Sequence, residues 1–497
     1  MALSLSYKLH YKSIFSHSNS SIQISTMEAR HNIALLPPPG FLGHLIPFIE
    51  LAKKLVFNHN CTITLIIPDY GDGSPVTLQS SLLQGIPAAI TPVFLPPVST
   101  ADLPDDANPE ILLQARLIRS LPALRDTLSR LRESGAPARA LVVDLFAPDA
   151  IDVAREFGIP AYVFYVVAAI DALLSLTLPE LNASCTFRND KQAEPVKLPG
   201  SLTLEVKDFP DTFTDCRVHK CATDLREMYL SADAILINTF YELEPDTFRH
   251  LERRRHGIPP VVPVGPLIRS IEGSELDRSS AYLKWLDDQP RNSVLFVSFG
   301  SGGTLSVEQI TELAVGLEIS EQRFLWVVRS PQENAAAAYL KVGGRDPRDP
   351  MTFLPEGFLK RTQGRGLAVA SWVSQIQVLS HDSTGGFLTH CGWNSILEST
   401  VHSVPLVAWP ICFEQKLNAT VVADGLKGAI RVRENEKGIV EREEISCAVK
   451  ELMGGEEGIK IRNKVSQLKI AAENAIGKDG SSTKALAQIV QSWSTSK

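Results

Sequence analysis

The chain has 497 residues, 44% hydrophobic and 21% charged, with a formal net charge of −7. That length exceeds a single core and implies two or three domains, the composition is that of an ordinary soluble globular protein, and the negative charge argues against nucleic acid or an anionic membrane as the main partner. Seven cysteines without a CxxC pair point to a reduced compartment, and away from zinc or a disulfide framework.

Residues 1–26 hold no acidic residue, two lysines and many serines, the composition of an organellar transit peptide. An upstream start or a disordered tail is the plainer reading, and the fold is read from residue 27. Ile33–Leu36 is a short apolar run punctuated by Pro37-Pro38-Pro39-Gly40. Leu45, Ile46, Ile49, Leu51, Ala52, Leu55 and Val56 then follow one helical face. Thr62–Ile67, Ala140–Phe146, Ala161–Val167 and Ala234–Phe240 are strand candidates with helical segments between them. The longest apolar stretch, Tyr162–Leu178, is interrupted by Asp171, so no bilayer span is expected. The Pro-rich passage Ile258–Pro266 and the polar stretch to Ser280 read as a domain end and a linker. Beyond it, Val294–Val297 runs into Phe299-Gly300-Ser301-Gly302-Gly303, and Val307–Ile319 is helical. Phe324–Val328, Leu367–Ala370, Phe387–Leu388 and Leu406–Ala408 are further strands. Asn334–Pro350 is unpatterned and reads as a surface loop. Ser481-Ser482-Thr483 is placed to cap a last helix, Lys484–Trp493. Strands alternating with helices imply parallel sheets covered on both faces, an α/β protein.

The segment Trp372–Gln415 is the densest in chemistry. Apolar runs alternate there with His390, Asn394, Ser395, Glu398, Glu414 and Gln415, and in open α/β sheets ligands bind at strand carboxyl ends beside helix N-termini. Trp372, Gln375, the run His390-Cys391-Gly392-Trp393-Asn394-Ser395, Glu398 and Glu414-Gln415 stand at a spacing that resembles the signature box of the plant family-1 UDP-glycosyltransferases. The likeness runs from about Arg30 to the C-terminus and is nearest to the phenolic (hydroquinone or arbutin-synthase-like) glucosyltransferases.

The resemblance implies a GT-B fold, two Rossmann-like domains with parallel sheets facing a central cleft. Its expected division is a disordered extension at 1–26, an acceptor-binding domain at 27–267 and a linker at 268–282. A UDP-sugar-binding domain at 283–472 follows, then a C-terminal helix at 473–497 that packs back on the first domain. UDP-glucose is the implied co-substrate and a small phenol the implied acceptor, with no metal or other cofactor, in a cytoplasmic monomer. By the same resemblance Trp372 stacks on uracil, the Val373 backbone pairs with its edge, and Gln375 and Glu398 meet the ribose hydroxyls. Ser301, His390, Asn394, Ser395 and the helix amides from Trp393 onward surround the diphosphate, and Glu414 and Gln415 bind the sugar. Taken singly each has a plain alternative: a core indole, a cap, a satisfied strand-end group.

His44 follows a Pro/Gly turn at the mouth of a helix, where a neutral imidazole is favoured and can serve as general base. Asp144 ends an apolar strand, where an ionised carboxylate is costly unless paired. The plain alternatives are a helix-terminal histidine and a helix cap. The resemblance makes them the base and its carboxylate partner in an inverting displacement. Gly40-Phe41-Leu42-Gly43-His44 carries one residue more than the family's Pro-Gly-Met-Gly-His, and a displacement of about 1 Å can cost on the order of 100-fold in rate. At the sugar end Cys412 and Phe413 replace the usual Tyr and Ala, Val167-Ala168 replaces a hydroxyl pair, and His402-Ser403 replaces a residue-Gly turn. Phe146, Phe164, Tyr165 and Leu173 are candidates for an acceptor pocket, or equally ordinary core, and the stretches Asp69–Asn108 and Leu178–Val218 are expected beside it. Asp346 and Asp349 read as solvated rather than metal-binding. Gly300-Ser301-Gly302-Gly303 lacks both GxGxxG and the P-loop lysine, which disfavours a nicotinamide oxidoreductase and a P-loop NTPase. The remaining rivals are a nucleotide-sugar-binding pseudoenzyme disabled before His44, and a transferase using another UDP-sugar.

Overall fold

Fifteen strands alternate with helices in the computed structural model, which describes residues 31–69, 82–103, 109–177, 195–199, 202–210, 216–253, 257–269, 280–332, 348–370 and 372–495. The extension at 1–26 lies outside these residues. So do 270–279 of the expected linker, 334–347 of the expected loop, and 70–81, 104–108 and 178–194 of the stretches expected beside the acceptor.

In the first half the strands are β1 (Asn32–Leu36), β2 (Thr62–Ile67), β3 (Ile90–Phe94), β4 (Ala138–Asp144), β5 (Ala161–Tyr165), β6 (Val196–Lys197), β7 (Thr203–Leu204), β8 (Ala234–Ile237) and β9 (Val261–Pro263). The second half carries β10 (Val294–Ser298), β11 (Arg323–Val328), β12 (Gly366–Ala370), β13 (Thr384–Thr389), β14 (Leu406–Ala408) and β15 (Ala429–Arg431). One sheet runs β3-β2-β1-β4-β5-β8-β9 and the other β12-β11-β10-β13-β14-β15, while β6 and β7 pair apart. Every pairing within the two large sheets is parallel. The central strands β1 and β10 are buried along their whole length, as aliphatic strands covered by helices on both faces must be. Two Rossmann-like domains result, the GT-B arrangement.

Each sheet reverses its order once, between β1 and β4 and between β10 and β13. Such reversals open a crevice at the strands' carboxyl ends, where α/β proteins bind ligands. His44 and Asp144 follow β1 and end β4; Gly300 and His390 follow β10 and β13.

Three strands were not expected from the sequence. β3 contains Pro92, opposite Leu65, and β9 ends in Pro263. Both form sheet edges, where a missing N–H costs little. Val261–Pro263 is therefore part of the first sheet, not of the linker. β15 is only three residues long.

Two helices of the first domain depart from ordinary helical hydrogen bonding. Leu42–His59 carries Pro47 inside it. A proline there has no N–H to offer the carbonyl four residues back, so Gly43 lacks its ordinary helical donor. Ala169–Leu176 begins after Ala168 without a side-chain cap. Its first amides are instead met by the buried Glu244, which accepts from Ala169 N at 2.9 Å and Ile170 N at 3.0 Å.

The C-terminal segment returns to the first domain. Helix Glu456–Ile476 packs on Trp393–His402, and helix Ser481–Thr495 packs on β9. That last helix buries Trp493 edge-on to Tyr162, 5.8 Å between centroids, and Ser481 Oγ donates to Glu242 at 3.0 Å. The helix starts at Ser481, so the expected capping residues form its first turn. No helix among the described residues is long and apolar enough to cross a membrane.

Candidate active site

His44 and Asp144, 100 residues apart in sequence, meet at the first crevice, with His44 Nδ1 2.7 Å from Asp144 Oδ2. Asp144 is wholly buried, and its other oxygen accepts from Phe146 N at 3.0 Å. Both oxygens of a buried carboxylate are thus occupied, as the cost of desolvation demands. With a proton on Nδ1 directed at Asp144, Nε2 is the nitrogen left with a lone pair. The ring is fixed from the sides as well. Phe146 stacks on it at 5.4 Å and 19°, and Phe41 meets it edge-on at 5.7 Å. Phe41 belongs to the lengthened turn, and the added residue leaves the pair closed.

Of the three aromatic acceptor candidates, only Phe146 stands beside this pair. Phe164 packs edge-on against Phe48 and Tyr165 against Tyr229. Phe164 is 0% and Tyr165 1% exposed, so their sequence assignment to a pocket wall gives way to core packing. The cause lies in the sheet, since both faces of an inner parallel strand are covered.

At the second crevice the residues of the box converge. Trp372 is 59% exposed, an open indole face, while the neighbouring Val373 is buried. Gln375 Nε2 donates to Ser395 Oγ at 2.9 Å and to Glu398 Oε2 at 2.8 Å. Burial pushes the Glu398 carboxyl up to about 7, against the opposing effect of the Gln375 hydrogen bond and the Arg269 charge. His390 is held between two glycines. A Cβ on Gly300 would lie 2.6 Å from its Cε1, and one on Gly392 2.5 Å from its Nε2. Gly300 also has φ +76°, which an L side chain rarely adopts. Burial first, and the nearby Arg329 charge second, push His390 down to about 4, so its imidazole is neutral at ordinary pH. Cys391 turns the chain with φ +66°, and helix Trp393–His402 starts two residues later, presenting its first amides to the crevice.

The sugar end is ordered from within. Gln415 Oε1 accepts from Ile411 N at 3.0 Å and Cys412 N at 3.1 Å, and its amide nitrogen lies 3.8 Å from Cys412 Sγ. Asn418 Nδ2 donates to Cys391 O at 3.0 Å and more weakly, at 3.5 Å, to Glu414 Oε1. Phe413 adopts φ +57°, an uncommon conformation for a bulky residue.

Two contacts join the crevices. Asn394 Nδ2 donates to Gly43 O, the carbonyl released by Pro47 and adjacent to His44. Trp393 Nε1 donates to Asn238 O at 2.8 Å. The Trp393 indole is thereby committed to the first domain, which corrects its place among donor-contacting side chains; its backbone amide remains at the helix start. Sequence reasoning missed Asn238, Phe41 as a ring partner, and Arg329. Arg329 directly follows β11 and donates to the carbonyls of Gly300, at 2.9 Å, and Ser301. A cation at a strand's carboxyl end was the available signal. Among the described residues no group of three or more His, Cys, Asp or Glu is arranged to hold a metal ion.

Comparison with known proteins agrees with this architecture. Residues 215–468 match the family described as UDP-glucoronosyl and UDP-glucosyl transferase. The chain is 49% identical to hydroquinone glucosyltransferase of Rauvolfia serpentina, over 94% of this chain and 98% of that one. It is 46% identical to UDP-glycosyltransferase 72B1 of Arabidopsis thaliana, over 94% and 97%. Among solved structures it is similar to a Polygonum tinctorium UDP-glucosyltransferase capable of glucosylating indoxyl, in complex with 3,4-dichloroaniline, with TM-score 0.86 and 42% identity over 94% of this chain and 100% of that one. It is likewise similar to Phytolacca americana UGT2 complexed with UDP-2fluoro-glucose and pterostilbene, with TM-score 0.83, 42% identity and the same coverage.

Proposed function

Because the chain belongs to the UDP-glucoronosyl and UDP-glucosyl transferase family, we propose that it transfers glucose from UDP-glucose to the hydroxyl of a small phenol, with inversion. The reading is carried by one observation: the buried His44–Asp144 pair lies one residue from Gly43, whose carbonyl holds Asn394 of the second crevice. A base is thus set against a nucleotide-sugar site.

In the proposed reaction the phenol gives its proton to His44 Nε2, and its oxygen forms a bond to the anomeric carbon from the face opposite UDP. The bond from that carbon to the diphosphate oxygen breaks, and UDP leaves with the electron pair. Asp144 stabilises the imidazolium, as a buried carboxylate does for a histidine base, and Phe146 offers it a ring face. Trp372 and Val373 take the uracil, and Gln375 and Glu398 the ribose. Ser301, His390, Asn394, Ser395 and the helix amides from Trp393 take the diphosphate. Glu414 and Gln415 take the glucose hydroxyls. The phenol enters beside Phe146, from the first domain. No metal is called on, since the proton and the leaving charge each have a protein acceptor or donor. We assign the acceptor to the domain at 27–267 and the donor to that at 283–472, in a cytoplasmic monomer. The names of the relatives, a hydroquinone glucosyltransferase foremost, support the acceptor class.

Incubation with UDP-glucose and a panel of phenols is expected to release UDP and yield a glycoside detectable by mass spectrometry. UDP binding without product would reject the enzyme in favour of a binding protein. His44→Ala is expected to abolish turnover while leaving UDP affinity nearly unchanged, and persistent activity in that variant would remove His44 as the base.

A further inference from the structure

The loop after β10 is gripped from two sides. His390 lies against Gly300 so closely that no Cβ fits between them. From another direction Arg329, at the end of β11, donates to the carbonyls of Gly300 and Ser301. A trans peptide is planar, and its N–H points opposite to the preceding carbonyl. Turning the Gly300 and Ser301 carbonyls toward the guanidinium therefore turns the N–H groups of Ser301 and Gly302 away from it. Successive backbone amides displayed in this way form an anion-binding concavity. The Gly300 amide itself is directed to Ser298 Oγ at 3.4 Å. Arg329 is close enough to His390 for its charge to help keep that imidazole neutral, so the cation, the loop and the histidine form one cluster at the β10–β13 crevice.

We propose that Arg329 is a positioning residue for the donor's diphosphate, fixing the Gly300–Ser301 peptide planes so that the Ser301 and Gly302 amides face the phosphates. The proposal rests on the reading of this crevice as the UDP-sugar site. Its fixed fork suits Arg for bridging two acceptors, a geometry that the point charge of Lys does not reproduce.

The test compares full-length wild type with Arg329→Gln and Arg329→Lys, titrated calorimetrically with uridine and with UDP, alongside steady-state transfer from UDP-glucose. In Arg329→Gln, uridine affinity is expected to stay within about twofold of wild type, while UDP affinity falls about tenfold or more, the scale of lost charge-assisted and backbone hydrogen bonds. The KM for UDP-glucose should rise in proportion, with a smaller fall in kcat. Arg329→Lys, which keeps the charge but not the fork, should recover part of the UDP affinity, and its retained uridine binding also shows a folded site. Equal weakening of uridine and UDP, or no change in either, would overturn the assignment. Wild type that bound no UDP would overturn the donor-site reading and this one with it, whereas wild-type binding with an unaltered Arg329→Gln overturns only this one.

Discussion

Glu398 shows how a single buried side chain ties donor binding to proton concentration. Its carboxyl titrates near 7 in the folded chain against an ordinary value of 4.5. The folded protein therefore holds a proton that the unfolded chain releases, and stability falls as pH rises from about 4.5 to 7. The full effect is on the order of 3 kcal/mol. Urea denaturation across that range should show the slope, and Glu398→Gln should flatten it. Donor binding should run the other way, because ribose hydroxyls donate to the ionised carboxylate. UDP affinity is expected to rise from pH 6 to 8 in wild type, by up to about tenfold per pH unit below 7, and to be weaker and pH-independent in Glu398→Gln. At this scale much of the site was legible in the sequence. Gln375, Ser395 and Glu398 announced themselves by spacing and do hydrogen-bond together. Arg329 did not, because its partners are backbone carbonyls of a different strand loop, and such acceptors leave no mark on residue identity. The Trp393 indole was misplaced for the same reason: its acceptor is the carbonyl of Asn238.

Among the elements, strands with aliphatic runs were read to within a residue or two, since a fully covered parallel strand must be apolar throughout. The edges were hidden by proline at 92 and 263, which breaks a pattern but not an outer strand. Phe164 and Tyr165 were harder, because an aromatic on an inner strand looks the same whether it faces a ligand or a neighbouring helix. Helix Ala169–Leu176 illustrates what local signals cannot carry. Ala168 is a poor cap, and the function is discharged by Glu244 from 75 residues away. Glu244→Ala should leave two buried amides unpaired and lower stability by about 1–3 kcal/mol or somewhat more. Chemical denaturation would measure this, and a variant within 0.5 kcal/mol of wild type, roughly the effect of an ordinary surface change, would show that water replaces the carboxylate there.

For the whole molecule, the order reversal in each sheet decides where chemistry can occur, and the two crevices hold the base pair and the nucleotide-sugar box respectively. The C-terminal helix bolts the halves together from behind through Trp493 and Tyr162. Arg431 and Asp208 add a side-chain bridge between them, at 2.6 Å. The two links nearest the cleft are of another kind. Asn394 and Trp393 reach from the second domain, and both end on main-chain carbonyls of the first, at Gly43 and Asn238. A carbonyl is supplied by every residue type, so the grip does not depend on which side chains line the first domain. What it requires is only a proline four residues after the gripped Gly43 carbonyl, to leave that carbonyl vacant. The acceptor half is in this sense a replaceable cartridge. A chimera carrying the first domain of a relative with the same proline, joined within 268–282 and keeping this chain's C-terminal helix, should fold, bind UDP as tightly as the parent and take its acceptor preference from the inserted half; loss of UDP affinity in a folded chimera would show that the halves are matched by their side chains after all.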